Sequence, residues 1–232
     1  MTEGIIKTQD ELDAMIRAAQ IIDDTYDAVL DTIKEGDTEK EVAKFIEEFV
    51  LMQGASGLSF DTIVAYGKGG AEPHHVPTDA KLEKGMLVTI DMGAVYNGYC
   101  SDFTRTFAFG EINEKQRKIY DVVYQSQKLG VQATKAGMHC EALDRVCRDY
   151  IDENGFGEYF IHTTGHGVGK VVHEAPRVGK NSTDVLEDNM VITIEPGIYL
   201  PDEMGVRIED MVIVGREGAL SRHATELIVI NR

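Results

Sequence analysis

Four acidic residues stand beside apolar runs that read as buried strands: Asp91 closes Met86–Ile90, Glu195 closes Met190–Ile194, and Asp102 and Glu209 belong to the segments that follow. A carboxylate withdrawn from water costs several kcal/mol unless a counter-charge or a cation meets it. Arg207 lies two residues before Glu209 on the same strand face, and Arg105 falls on the face opposite Asp102, so at most one arginine can neutralise this group. Bound divalent cations are the better account. His166 supplies a fifth donor from the stretch Gly165-His166-Gly167-Val168-Gly169, where glycines let the backbone turn tightly and come close to a site. His162, His166 and His173 fall within twelve residues, which argues against a purely structural role for all three. Four carboxylates and one imidazole without sulfur favour Mn²⁺, and less specifically Co²⁺, Fe²⁺ or Zn²⁺; residue type alone also admits Mg²⁺. Carboxylates bridge, so such a set supports two metals roughly 3.5–4 Å apart with a hydroxide between them, a nucleophile at neutral pH.

The surrounding pattern must bring these residues together. Apolar residues from Leu12 to Ile33 recur at helical spacing over about Thr8 to Lys34, and Gly36 stops the run. A second helix starts at Thr38, where the hydroxyl can cap the first turn while Glu41 reaches back, and runs to about Met52. A short strand from Asp61 to Ala65 and a glycine-rich loop holding Pro73, His74 and His75 precede the strand that ends on Asp91. Asn97-Gly98 is the dipeptide of a tight type I′ hairpin. With those two as the loop, Asp91 lies opposite Thr104, and Asp102 is its diagonal neighbour on the same face. Two more helices, about Glu114 to Lys135 and Cys140 to Glu153, lead to the strand ending on Glu195.

Met86-Leu-Val-Thr-Ile-Asp-Met-Gly93 aligns with Met190-Val-Ile-Thr-Ile-Glu-Pro-Gly197 at an offset of 195 − 91 = 104 residues, with the acid sixth in each octet. Each octet follows two helices and precedes a strand bearing a second acid, which suggests a duplicated half-fold. The expected class is α+β, each half contributing two helices and an antiparallel hairpin around a curved sheet, in one domain over residues 1–232.

Composition narrows the partners. The chain's 232 residues are 43% hydrophobic, enough for a substantial core. With 40 acidic against 23 basic residues the formal net charge is −17, which repels phosphate backbones and anionic headgroups. Neither nucleic acid nor membrane is an expected partner, and no window reaches the roughly 20 apolar residues of a span. Met1 to Glu11 lacks the pattern of an export leader. Cys100, Cys140 and Cys147 form no CxxC and read as buried thiols suited to a reducing cytoplasm. Without a GxGxxG or GK[ST] after a strand, Gly165 to Gly169 is not a nucleotide loop.

Together, Asp91 and Asp102, Gly-His166-Gly-Val-Gly, His173-Glu-Ala-Pro, Ile-Glu195-Pro-Gly-Ile-Tyr199 and Gly-Val-Arg207-Ile-Glu209-Asp resemble the pita-bread metallopeptidases, over essentially Ile6 to Ile228. The last two segments resemble the proline-specific branch, aminopeptidase P and prolidase, more than methionine aminopeptidase. The resemblance implies that Asp91, Asp102 and Glu209 bind one metal, that His166 and Glu195 complete the other site, and that Asp102 and Glu209 bridge. It further implies that Glu195 shuttles a proton and that His74, with His75 beside it as the alternative, and His173 meet the scissile carbonyl or tetrahedral intermediate. His162 would line the pocket near proline and Arg207 would order Glu209. The implied reaction is hydrolysis of the Xaa-Pro bond at the N-terminus of a peptide or dipeptide by a hydroxide bridging two metals, Mn²⁺ first among them. A homodimer is compatible with the likeness, and the N-terminal domain usual in such enzymes is expected to be absent. The rival expectations are methionine aminopeptidase, a non-catalytic peptide-binding domain, and a structural domain with a calcium-like site.

Overall fold

A computed structural model describes residues 4–232; residues 1–3, which belong to the Met1–Glu11 stretch and to the expected domain, lie outside the described residues. The first helix, α1 (Gln9–Thr32), begins where Thr8 and Glu11 close a reciprocal capping box, and α2 (Glu39–Met52) begins with the same device from Thr38 and Glu41. A short strand β1 (Gly57–Leu58) and β2 (Ile63–Tyr66) lead to β3 (Met86–Met92), β4 (Ala94–Tyr96), β5 (Tyr99–Cys100) and β6 (Phe103–Phe109). Then come α3 (Glu114–Ala133), α4 (Cys140–Glu153), β7 (Gly165–Gly167), β8 (Glu174–Val178), β9 (Val191–Ile194), β10 (Gly197–Leu200), β11 (Met204–Arg207), β12 (Asp210–Ile213) and β13 (Val229–Ile230).

The hairpin register is the expected one. Tyr96 pairs with Tyr99 across Asn97 and Gly98, both at positive φ, and Asp91 lies opposite Thr104. The duplication is equally plain: β2, β3 and β6 run side by side in the first sheet, and β7, β9 and β12 repeat that order in the second. Helices α1 and α2 pack with the first sheet around Ile21, Ile46, Val88 and Phe107, while α3 and α4 pack with the second around Ile119, Leu143, Ile192 and Ile194. Each helix pair covers one sheet, and a third cluster sets Leu12, Met15 and Ala19 of α1 against Val191, Met211 and Ile213 of the second sheet.

The curved sheet is not one continuous ladder. Among the described residues, two four-stranded sheets, β13-β6-β3-β2 and β12-β9-β7-β8, meet at the single bridge Thr104↔Glu209, where the Glu209 amide donates to the Thr104 carbonyl at 3.0 Å. Asp102 and Glu209, expected within strands, instead occupy breaks between β5 and β6 and between β11 and β12. In the first break the Ala94 amide donates to Ser101 Oγ at 3.0 Å, and any Cβ on Gly93 would stand 2.2 Å from the Ser101 carbonyl, so only glycine admits this approach. In the second half Pro196, after Glu195, brings no N–H to a ladder. Among the described residues, no helix is long and apolar enough to cross a membrane. All three cysteines are buried, and burial pushes the Cys140 and Cys147 thiols up to about 12.

Candidate metal centre

Asp91, Asp102, His166, Glu195 and Glu209 line one cavity of about 610 Å³, together with His74, His162, His173 and Arg207. All nine residues singled out in the sequence therefore share one concavity. The strands explain the convergence. Asp91 leaves β3 and Glu195 follows β9 as equivalent strand ends, while Asp102 and Glu209 reach the same space from the breaks.

His166 stands on β7, a strand pressed tightly between its neighbours. A Cβ on Gly165 would fall 1.9 Å from the Thr193 carbonyl, and one on Gly167 would fall 2.1 Å from that of Ala175. The His166 Nδ1–H donates to the Gly167 carbonyl at 3.0 Å, which leaves Nε2 facing the acids, 3.1 Å from Glu195 Oε1 and 3.6 Å from Asp102 Oδ2. That tautomer is the one a metal ligand requires. The His162 ring is fixed in the same way: Nδ1–H donates to the Thr163 carbonyl at 2.8 Å and Nε2 accepts from the Tyr199 hydroxyl at 2.8 Å. Tyr199 accepts in turn from Arg207 Nη1 at 2.8 Å. Arg207 spans the site, its Nη2 donating to Asp91 Oδ2 at 2.6 Å and its Nε to Thr104 Oγ1 at 3.1 Å. It orders Glu209 only indirectly, because Thr104 relays the contact by donating to Glu209 Oε2 at 2.6 Å.

Charge is unevenly compensated. Burial drives the Asp102 carboxyl well above the ordinary range and the Asp91 charge adds to it; burial and the charges of Asp102, Glu195 and Asp91 do the same to Glu209. Burial also raises Asp91, against the opposing pull of Arg207. Burial would raise Glu195 too, but the hydrogen bond and charge of His166 outweigh it and bring it down to about 2. For His166, burial works against the cation, yet the bond to Glu195 and the charges of Glu195 and Asp102 push it up to about 9.

The residues fit a metal. Asp91 Oδ1 and Glu209 Oε1 are buried without a hydrogen-bond partner, and Asp102, His166 and Glu209 each offer a ligand atom within 4.8 Å of the others. Orphaned carboxylate oxygens are rare in native interiors, and hard, oxygen-rich donor sets with one imidazole suit divalent ions.

Of the outer histidines, His173 stacks edge-on against His166 with ring centroids 4.4 Å apart, whereas His74 is exposed on the cavity rim. His75 also lines the cavity but turns its Nε2 to Glu39, at 2.9 Å, so His74 is the histidine free to face a ligand. Thr104, Thr193 and Tyr199 join the site beyond the residues expected from sequence, Thr193 by donating to Glu195 Oε1 at 3.0 Å. The threonines carry a legible signal, since each stands two residues from an acid and so shares its face.

Residues 13–216 match the model of metallopeptidase family M24. The chain is 48% identical over 222 residues to a Xaa-Pro dipeptidase of Pyrococcus furiosus, covering 96% of this chain and 64% of that protein. Among solved structures it superposes on a Xaa-Pro dipeptidase from Bacillus anthracis with a TM-score of 0.95 at 46% identity, covering 97% of this chain and 64% of the other. An X-Pro aminopeptidase from Thermotoga maritima gives a TM-score of 0.94 at 36% identity over 97% of this chain and 65% of that one. The chain thus spans less than two thirds of these relatives' own length, and the pita-bread expectation holds for the part it spans.

Proposed function

The chain belongs to metallopeptidase family M24, and on that premise we propose that it hydrolyses the bond before proline in short peptides that carry proline second. The observation that supports the metal-dependent part of this most directly is the pair of buried, partnerless carboxylate oxygens on Asp91 and Glu209, in a cavity whose buried guanidinium, Arg207, is spent on Asp91. Asp91, Asp102 and Glu209 would hold one divalent ion, and Asp102, His166, Glu195 and Glu209 the other, with Mn²⁺ the leading candidate. When bound, such ions supply Lewis acidity and make water a competent nucleophile near neutral pH.

The protein's own groups do the rest. Glu195, which Thr193 holds in place, receives the proton of the attacking water and passes it to the leaving proline nitrogen. That delivery matters for proline, because its ring nitrogen lacks an N–H in the amide and must gain one as the bond breaks. Burial lowers His173, which favours an uncharged N–H donor able to meet the developing oxyanion, with His74 on the cavity rim as its counterpart. The His162–Tyr199–Arg207 chain makes a rigid wall with little rotamer freedom left to freeze when the proline ring docks.

The test is a panel of Xaa-Pro dipeptides, Xaa-Pro tripeptides and Met-Ala peptides, assayed after metal removal and re-addition of one ion at a time. Turnover of the Xaa-Pro peptides, and its loss in Glu195→Gln with the fold intact, is expected. Faster cleavage of Met-Ala peptides would overturn the proline assignment, and full activity in Glu195→Gln would remove Glu195 from the chemistry.

A further inference from the structure

Glu39 is the first residue of α2 and is almost wholly buried, which is an unusual place for an acid unless something is built on it. Its Oε1 accepts from the Tyr66 amide at 2.8 Å, where β2 ends. Its Oε2 accepts from the Thr78 amide at 2.8 Å, the Thr78 hydroxyl at 2.7 Å and His75 Nε2 at 2.9 Å. One carboxylate therefore grips both ends of the segment 66–78, and that segment carries His74 to the cavity rim. The main chain reinforces the lower end, with the Glu39 amide donating to the Ala80 carbonyl and the Lys40 amide to that of Thr78, each at 3.2 Å.

Residues 67–71 are also held against β11, where a Cβ on Gly205 would stand 1.9 Å from the Gly70 carbonyl, but the stretch 73–78 has few other holds. Pro73 and Pro77 flank the two histidines and supply no N–H, and among the described residues the His74 side chain makes no hydrogen bond. The grip itself is tight: a Cβ on Gly69 would meet His75 Cε1 at 3.0 Å and Glu39 Oε1 at 3.3 Å. The helix N-terminus favours a negative charge at Glu39. Burial alone would raise this carboxyl, but the bonds from His75, Thr78 and Tyr66 hold it below the ordinary range.

We infer that Glu39 is a positioning residue for His74: through His75 and Thr78 it fixes the loop so that the His74 imidazole stands over the acid cluster. The inference rests on the proposed reaction for the part His74 plays, but the loop geometry is testable without it. A charge-assisted grip of this kind differs from a simple helix cap, because its loss should be felt at the reacting carbonyl while the metal ligands stay where they are.

The experiment is a double-mutant cycle on the metal-loaded chain with Glu39→Gln, His74→Ala and the pair, measuring kcat, KM, metal affinity and hydrogen exchange. Each single variant should lower kcat by about 10- to 100-fold with KM changed less. Metal affinity should stay within about twofold, since second-sphere losses of 10-fold or more mark residues that touch ligands. The pair should be no worse than His74→Ala alone. In Glu39→Gln, exchange at residues 74–78 should quicken while β3 and β9 stay protected. Additive losses, a wild-type kcat in Glu39→Gln, or a loss that follows metal occupancy would each overturn the inference. If the parent cleaves no Xaa-Pro peptide, the reading of the reaction fails, and exchange decides the inference alone: unchanged protection at 74–78 would sink it. Should Glu39→Gln not fold, Thr78→Val removes one donor and must show the same non-additivity with His74→Ala.

Discussion

The two halves contribute equal numbers of candidate ligand acids to the cavity and unequal numbers of bases, His74 and His75 against His162, His166, His173, Arg177 and Arg207. Asp91 and Asp102 come from the first half, Glu195 and Glu209 from the second, yet Arg207, His166, His162 and His173 all belong to the second. Strand register makes this concrete: Ala65 lies opposite Thr89 as His166 lies against Thr193, so the first half has an alanine where the second half has its imidazole. Duplication thus built a symmetric cage of carboxylates, and divergence on one side decided which acids carry a standing counter-charge. Asp91 has Arg207 and Glu195 has His166, while Asp102 and Glu209 have only Thr104 and the fringe of the His166 charge. The uncompensated pair is the one assigned to bridge.

The largest expected effect breaks that pair. Asp102→Asn should lower hydrolysis by about 10³-fold or more and abolish the thermal stabilisation that added metal gives the parent. The pH dependence supplies the sign. Asp102 and Glu209 keep protons in the folded chain at pH values where the unfolded chain has lost them, because their folded carboxyls are raised. The metal-stripped chain therefore gains stability as pH is lowered from neutral toward the ordinary carboxylate range, and loses it as pH rises through the raised values. Melts in chelator across that span should show the slope, with Asp102→Asn flatter than the parent. Metal competes with the same protons, so apparent metal affinity should weaken in the same direction as pH falls. A metal-free chain whose stability falls on mild acidification would contradict the assignment.

Arg207→Met tests the compensated pair. It strands the buried Asp91 carboxylate and should cost roughly 3–5 kcal/mol without metal and distinctly less with metal, because a cation then replaces the guanidinium. Equal losses with and without metal would mean that no ion reaches Asp91. The smallest effect concerns the strand that sets the asymmetric histidine. Gly165→Ala, with its Cβ 1.9 Å from the Thr193 carbonyl, should cost about 1–3 kcal/mol and move His166, read as weaker metal binding. Gly57→Ala, whose Cβ meets nothing within 4 Å, is the control and should leave melting and metal binding unchanged.

Local chemistry made much of this legible. Thr8 and Thr38 announce their helices through glutamates three residues on, and Asn97-Gly98 fixes a register that pairs Asp91 with Thr104. Such signals lie within a turn or a hairpin of the residue they place. The two breaks were harder to read, because Asp102 leaves its ladder through a meeting of Gly93 with Ser101 that only the paired backbone defines. The Glu39–His75 contact joins residues 36 positions apart and the Tyr199–His162 contact residues 37 apart. Neither has a periodicity to betray it. Arg207 shows the middle case: its face and its nearness to Glu209 were readable, but the preference of its guanidinium for Asp91, 116 residues away, was not.

Among the described residues, the bridge between Thr104 and Glu209 is the sole backbone rung joining the two sheets, and one of its two residues is a candidate ligand. The centre of the molecule is therefore an interface between two bodies that happen to share a chain. Neither body can close the cage with its own acids. A half made separately would present an open, self-repelling pair of carboxylates, and it would acquire a metal site only by meeting its counterpart. Two fragments cut between β6 and α3 should be mutually dependent, with the ion acting as the rivet that draws them together.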